Sequence, residues 1–564
     1  MVSPTLHKKS NEVSTLNNNA KKLFQVVYTK IKEGDKEESS VPTINVSDLI
    51  SKMSFYYEKI RNSVDYKEEY LLRKNAIERI LKRHIVIEGV IKVSRSDEIA
   101  KHLLVELIRA GYVPNNSIPE TKIEVVGNII EKYLKLRNYS SARLNFKDNI
   151  ISGNVLKAKD DLELRSNLTN WFISLAASEI ENSIGDDKVR RVVVSNLYEY
   201  LLSIIKLPPE LPHQEDIEIQ IYLGIHKHFL KYDDDMLSFI LFKYYNTNWK
   251  NPKDEELAKI SQNILTIKGA IDKQLDHPLK KQLKKIISKY TLFYNIFLDV
   301  VSEDPVGVYE EIKRDPKAFP RKIKNICNKE YQAKKSKLWR AAFRSIIYIF
   351  LTKSILVLIL EIPAARWFGE VVNPVILAIN IAFPAILLFL VVFFTKIPSE
   401  ENTLKIIDGI NELIFNGKEK NEAFILRKPV KRGPVIGFVF GVIYLITFLI
   451  SFGGTVWLLD KIKFSWVSII IFLFFLAFAS FFGIRIRKGV NELNVIEPKE
   501  SIISFLIDFF YVPIISVGKY LSEKFSRLNV FVFILDFIIE APFKFFVEMS
   551  EEWSKYVKER KEDL

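Results

Sequence analysis

The sequence predicts an all-α integral membrane protein with three parts: a cytoplasmic helical bundle or α-solenoid-like domain, a four-helix transmembrane region, and a carboxy-terminal amphipathic helical segment. Three observations predict this class. Apolar residues recur at helical spacing over most of the first 320 positions. Four apolar runs follow, each about long enough to cross a bilayer. A basic segment separates the two regions, as the positive-inside rule expects at a cytoplasmic boundary.

The amino-terminal half is polar at first and then periodic. Residues 1–45 are rich in Asn, Ser, Thr, Lys and Glu, which is typical of a flexible arm. Residues 46–320 show repeated helical periods and few alternating strand patterns, so we expect a cytoplasmic all-helical domain. No fixed-period consensus separates an α-solenoid from an irregular bundle. Both architectures build binding surfaces, so we expect this domain to bind a protein partner.

Residues 321–344 form a basic juxtamembrane neck, with nine Lys and Arg against one Glu. A nucleic-acid-binding domain carries its positive charge across a whole face. Here more than half of the net charge of +14 lies beside the first apolar run instead. The pattern therefore argues against nucleic acid and favours anionic lipid headgroups as a partner. The candidate headgroup ligands are Arg321, Lys322, Lys334, Lys335, Lys337, Arg340 and Arg344.

The transmembrane region at 345–484 is predicted to consist of two hairpins. Its apolar runs are 345–362, 371–394, 434–459 and 465–484, with a cytoplasmic loop at 395–433. Lys and Arg near the helix ends predict a multi-pass protein of a cytoplasmic-type membrane with both termini in the cytoplasm. The single cysteine, Cys327, excludes an intramolecular disulfide framework. On this topology it should react with an impermeant maleimide only after the cells are opened.

Residues 485–564 are predicted to hold amphipathic, interfacial helices and a charged tail. Polar residues recur there at close to helical spacing and form a narrow seam within an apolar surface. The charged members of the seam are Asp508, Asp536, Glu540 and Lys544. A hairpin that crosses the membrane is the alternative. We favour the interfacial helix, because each acid near the bilayer centre costs about 2.5–3.5 kcal/mol.

Four polar residues of the first two apolar runs are candidates for a functional site. They are Lys353, Glu361, Asn373 and Asn380. An ionisable residue inside a membrane needs a partner or water, which makes it a functional hypothesis by default. The structural alternative is that Lys353 snorkels to the interface or pairs with Glu361 or Asp508, while the asparagines hold helices together.

No motif in the sequence carries recognisable catalytic chemistry. Phosphate-binding loops of the GxxxxGK[ST] type, dinucleotide GxGxxG motifs and GxSxG elbows are all missing. His226 and His228 lie two positions apart, a spacing that points the two rings of a helix in different directions. We therefore expect no cofactor, no metal and no enzymatic activity. The sequence favours a membrane anchor or scaffold, and the alternative is an oligomeric channel or secondary transporter that uses the first two transmembrane helices.

Overall fold

A computed structural model describes residues 16–34, 42–46, 58, 69–87, 95–148, 155–185, 187–315, 318–369, 373–415, 423–428, 433–496 and 502–527, with positions 549, 553, 556, 557 and 560. These residues are mostly helical, as the sequence predicts. The chain divides into two compact units. The helical unit comprises Gln25–Thr291, Ala423–Leu426 and Val530–Leu564. The membrane unit comprises Met1–Phe24, Leu292–Glu422 and Arg427–Asn529.

The elements up to position 303 are α1 (Asn18–Gly34), α2 (Glu69–Lys82), a π-helical turn (Arg83–Ile87), α3 (Ser96–Arg109), α4 (Thr121–Asp148), α5 (Val155–Ile184), α6 (Lys188–Ile204), β1 (Ile205–Lys206), α7 (Ile217–His228), α8 (Asp234–Tyr245), α9 (Asp254–Gln262), α10 (Ile264–Leu275) and α11 (Lys280–Glu303). The later elements are α12 (Pro305–Arg314), α13 (Phe319–Leu356), a second π-helical turn (Val357–Glu361), α14 (Ile362–Trp367), α15 (Pro374–Phe393), α16 (Glu400–Ile414), β2 (Phe424–Ile425), α17 (Pro434–Lys461), α18 (Trp466–Asn491) and α19 (Ile502–Arg527).

Helix α5 forms the centre of the helical unit. It packs against α2, α4 and α8. Its residues from Trp171 to Ser178 are all buried, so this stretch is covered on every side. A helix surrounded in this way must be apolar all round, and its sequence WFISLAAS meets that condition. The two-residue strands β1 and β2 pair in parallel, with Ile205 opposite Phe424.

The amino-terminal arm expected at residues 1–45 is partly helical. Asn18–Gly34 form α1, and Ala20, Leu23, Phe24 and Val27 are buried along one face. Helical spacing places these four residues together, and burial of that face stabilises a segment whose overall composition is polar. The composition alone therefore conceals a short amphipathic helix.

The basic neck is continuous with the first transmembrane run. Helix α13 has 38 residues and carries 321–344 directly into the apolar segment. The first part of the helical unit runs to Thr291, and the segment from Leu292 to residue 320 groups with the membrane unit. This division falls inside α11, whose range is Lys280–Glu303.

The membrane unit contains four helices long and apolar enough to cross a membrane: Phe319–Trp367, Pro374–Phe393, Pro434–Lys461 and Trp466–Asn491. Their ends lie close to those of the four predicted runs, except that the first helix begins well before residue 345 because it includes the basic neck. Helices α13, α15 and α18 pack against one another. Only about 6% of the most apolar stretch of α17 is buried, and this helix packs mainly against α19. The second predicted hairpin, α17 and α18, is thus packed less closely than the first.

Helix α19, in the carboxy-terminal segment expected to be interfacial, packs against α17 and α18. Ser451 Oγ in α17 donates a hydrogen bond to the Phe510 carbonyl at 2.7 Å. A Cβ added at Gly518 would lie 2.0 Å from the Ala477 carbonyl oxygen, so glycine permits close contact with α18. Ile514 packs beside Leu459 and Phe464, at the end of the bundle opposite the basic neck. Helix α19 therefore lies along the apolar helices, because small residues give it a surface to pack on.

Helix α16, in the loop between the two pairs of apolar helices, is also covered by protein. Its residues Ile406, Ile410 and Ile414 are buried. Gly409 lies against Phe293, where an added Cβ would approach a ring carbon to 2.2 Å. These residues of α16 are thus buried within the membrane unit, whereas Leu404 on the same helix is 56% exposed.

Cys327 is fully buried in α13 and is unsuitable as a reporter of topology. An exposed position of the same helix serves instead. In a Cys327→Ala background, Ser336→Cys should react with an impermeant maleimide only after the cells are opened, because the basic neck favours the cytoplasmic side. Ile462→Cys, in the turn between α17 and α18, should react in intact cells. The opposite pair of results would invert the topology.

His226 lies inside the helical unit and is 7% exposed. Its Nδ1 lies 2.9 Å from the Tyr222 carbonyl oxygen and donates to it. Burial lowers the pKa of His226 to about 4 from an ordinary value of 6.5. The folded protein therefore resists protonation at a pH where the unfolded chain accepts the proton.

We expect this difference to destabilise the helical unit in acid. Its contribution is complete above pH 6.5 and decreases as the pH falls towards about 4, by at most about 3 kcal/mol. Denaturant unfolding of the full chain in lipid nanodiscs, followed by tryptophan fluorescence at pH 7 and pH 4.5, measures the loss. His226→Gln should reduce the loss, and His102→Gln, at an exposed position, should leave it unchanged. Equal losses in all three proteins would exclude His226 as the cause.

Candidate functional site in the transmembrane helices

The first of the four apolar helices buries two ionisable side chains in an otherwise apolar stretch. Lys353 and Glu361 are 0% and 1% exposed. Leu351, Ile355 and Leu358 on the same helix are all more than half exposed. The π-helical turn Val357–Glu361 begins four residues after Lys353 and ends at Glu361, and such turns occur frequently at functional sites. The helix therefore directs its charged residues inward and its apolar residues outward.

Glu361 joins three helical segments through one carboxylate oxygen. Its Oε1 accepts a hydrogen bond from Asn380 Nδ2 of α15 at 2.6 Å. The same oxygen accepts a hydrogen bond from Ser468 Oγ of α18 at 2.5 Å. Among the described residues, Glu361 Oε2 and Asn380 Oδ1 are buried without a hydrogen-bond partner. Oε1 of the Glu361 carboxylate thus accepts two hydrogen bonds, and among the described residues Oε2 accepts none.

Lys353 is buried without a polar partner in the described part of the chain. Its Nζ makes no hydrogen bond there and no ion pair within 4 Å. The Nζ lies 4.5 Å from the centroid of the Phe475 ring, a distance that permits a cation–π interaction. Asp508, the other partner considered from the sequence, is exposed on α19. Among the described residues, Lys353 therefore forms no ion pair within 4 Å with either partner considered from the sequence.

Two of the four polar candidates in the first two apolar helices are in contact, Glu361 and Asn380, and Lys353 is buried on the same helix as Glu361. Asn373 lies apart from them as the N-cap of α15, where its Oδ1 accepts a hydrogen bond from the Val375 amide at 2.9 Å. Ser468 and Phe475 were not predicted. Ser468 is a polar residue within an otherwise apolar run, and that feature could have identified it from the sequence. The contact of Phe475 with Lys353 depends on helix packing, which no local pattern reveals.

The basic neck presents several cations on one face of α13. Lys334, Lys337, Arg340 and Arg344 follow one another at spacings of three, three and four residues, which places them on the same side of a helix. In the described residues none of the four forms an ion pair within 4 Å. Arg321 and Lys335 are exposed, whereas Lys322 is paired with Glu311. All of the predicted headgroup ligands except Lys322 are therefore available at the surface of this unit.

The predicted carboxy-terminal seam is described only at its first member. Asp508 is exposed on α19. Asp536, Glu540 and Lys544 lie outside the described residues.

The described residues contain one group suited to a metal ion, formed by His213, Asp216 and His277 of the helical unit. The sequence places these histidines 64 positions apart and gives no sign that they meet. His226 and His228 both lie on α7, where residues two positions apart point in different directions, and the His226 ring is hydrogen-bonded to a backbone carbonyl. The pair considered from the sequence therefore does not form this group, which is built from His213 and His277 instead.

Comparison with known proteins identifies no relative: no protein-family profile, curated protein or solved structure matches this chain.

The hydrogen bonds of Glu361 predict different effects for two substitutions in the site. Asn380→Leu removes a donor to a buried carboxylate and should reduce stability by about 1–2 kcal/mol. Lys353→Met removes a buried charge that has no polar partner and keeps a similar side-chain length, so stability should be unchanged or increased. Thermal unfolding of the purified variants in detergent measures both. A larger loss from Lys353→Met than from Asn380→Leu would contradict the geometry.

Proposed function

We propose that this protein is a channel or secondary transporter that moves protons by way of Lys353 and Glu361. The observation that carries the proposal is the burial, on one helix, of an ammonium group without a polar partner and of a carboxylate oxygen without a donor among the described residues. Groups of this kind are expensive in an apolar environment and mark ion pathways and proton relays in membrane proteins. The sequence alone favoured the anchor, because no catalytic motif was found and four spans offer little room for a solvated pathway unless the protein oligomerises.

The enclosed character of the cluster favours a proton over a hydrated ion. Lys353, Glu361 and Asn380 are each no more than 1% exposed. A metal cation requires several oxygen ligands, and the ammonium of Lys353 would repel it. Ammonium and carboxylate groups both exchange protons, so a relay through them needs only water that reaches them transiently and not a cavity wide enough for a hydrated ion. Asn380 and Ser468 would hold the Glu361 carboxylate in position for this exchange.

The proposal predicts that proton flux depends on the two ionisable groups. Full-length protein in liposomes, with a pH-sensitive dye inside and an imposed pH gradient, should show protein-dependent proton flux. Glu361→Gln and Lys353→Met should each reduce that flux at least about tenfold, because neither replacement can exchange a proton in the pathway. The matched control is Lys461→Met, which makes the same chemical change at an exposed helix end. It should leave the flux unchanged.

Circular dichroism and gel filtration of each variant would verify that the fold is preserved. Flux that is equal in wild type, Glu361→Gln and Lys353→Met would exclude the pathway.

The second candidate function is the membrane anchor or scaffold, in which the helical unit binds a protein partner. Tyr244 on α8 and Leu265 on α10 are 56% and 47% exposed, and these two helices pack against each other. Exposed apolar side chains on adjacent helices are suited to protein contact. The basic face of α13 would add attraction to anionic headgroups. Absence of any protein-dependent flux from the reconstituted wild type would leave this role as the better proposal.

A further inference from the structure

A carboxylate of the helical unit lies between two imidazoles. Asp216, the residue before α7, has its Oδ2 3.2 Å from His213 Nδ1 and 3.4 Å from His277 Nε2. His277 belongs to the turn between α10 and α11 and is 6% exposed. The ring centroids of His213 and His277 lie 4.7 Å apart. Two segments distant in sequence thus present two nitrogens and one oxygen to a common point.

We propose that His213, Asp216 and His277 form a binding site for Zn²⁺. The ion bonds to imidazole nitrogen and carboxylate oxygen at about 2.0–2.2 Å, which in tetrahedral coordination separates neighbouring ligand atoms by about 3.3 Å. The observed separations of 3.2 and 3.4 Å match that edge length. Three protein ligands leave a fourth position for water. Asp216 and His213 are each about 30% exposed in their side chains, which opens that position to solvent.

Neighbouring amides orient the carboxylate for this role. Gln274 Nε2 donates to Asp216 Oδ1 at 2.6 Å, so the other oxygen is the one turned to the imidazoles. Gln274 is held in turn by the buried Gln220, whose Nε2 donates to Gln274 Oε1 at 2.7 Å. Outer partners of this kind fix the direction of metal ligands in known sites. His213 also has a φ of 79°, a backbone conformation that is uncommon for histidine and frequent at functional sites.

The three residues also hydrogen-bond to one another, and a bound ion would replace those contacts. The Leu279 amide donates to His277 Nδ1 at 3.3 Å, so the ring proton lies on Nε2 and is directed at Asp216. Coordination through Nε2 requires that proton to leave and Nδ1 to carry one instead. The contact given up is the long one with Leu279, and the ligand geometry around Asp216 is already present.

The test is calorimetric titration of Zn²⁺ into full-length, chelator-treated protein in detergent, supported by the visible absorption spectrum of the Co²⁺ form. We expect one Zn²⁺ per chain and a tetrahedral Co²⁺ spectrum. His213→Asn removes a ligand while tolerating the positive φ, and should weaken binding by more than about 100-fold, beyond the roughly 10- to 100-fold effect of losing an outer partner. Gln274→Ala should fall in that smaller range.

His102→Gln, an exposed histidine on α3, is the matched control and should bind as the wild type does. Asp216→Asn provides a second ligand variant if His213→Asn changes the loop. One-to-one binding that persists in both ligand variants would overturn the assignment, because the ion would then reside elsewhere. Absence of stoichiometric binding by the wild-type protein would overturn it as well.

Discussion

The hydrogen bonds to Glu361 Oε1 constrain the membrane unit more than any other interaction. One carboxylate oxygen accepts from Asn380 and Ser468, and so it ties the first, second and fourth transmembrane helices together. The same three helices pack on one another, while α17 stays at the periphery. Between apolar helices in lipid, packing and a few polar contacts supply the association that the hydrophobic effect supplies in water. The hydrogen bonds that hold these helices together therefore also fix the position of the Glu361 carboxylate.

The helical unit also buries a lysine, but this one is surrounded by acids. Lys74 is 1% exposed, and its ammonium lies 2.5 Å from Asp235 and 3.2 Å from Asp233, at the start of α8. Desolvation opposes the charge, and the nearby carboxylates more than offset it, so the pKa of Lys74 is raised. Lys353 has no comparable set of acids among the described residues. This contrast, within one chain, is what separates an ordinary buried lysine from the candidate for proton transfer.

The features predictable from the sequence were those encoded in local composition. Length and hydropathy gave the four apolar helices, and helical periodicity gave the all-α class, because both depend on neighbouring residues. Lys353, Glu361 and Asn380 could be singled out from the sequence as polar residues within apolar runs, but not the hydrogen bond that joins Asn380 to Glu361. Contacts between distant segments were beyond reach: Phe475 against Lys353, α19 beside Ala477, and His213 with His277 each depend on tertiary packing. The helix at residues 18–34 was not predicted, because its four buried apolar side chains lie within a segment whose overall composition is polar.

The continuity of α13 gives the membrane unit a mechanical property. A single helix of 38 residues is about 57 Å long, and the part that precedes the apolar run accounts for about 39 Å of it. A rigid rod converts a small rotation at one end into a large displacement at the other. If the apolar part tilted by about 10°, the far end at Phe319 would move by about 7 Å. Rearrangement around Glu361 would thus be amplified along the basic neck, and a force applied to that neck would act on the charged cluster with the same leverage.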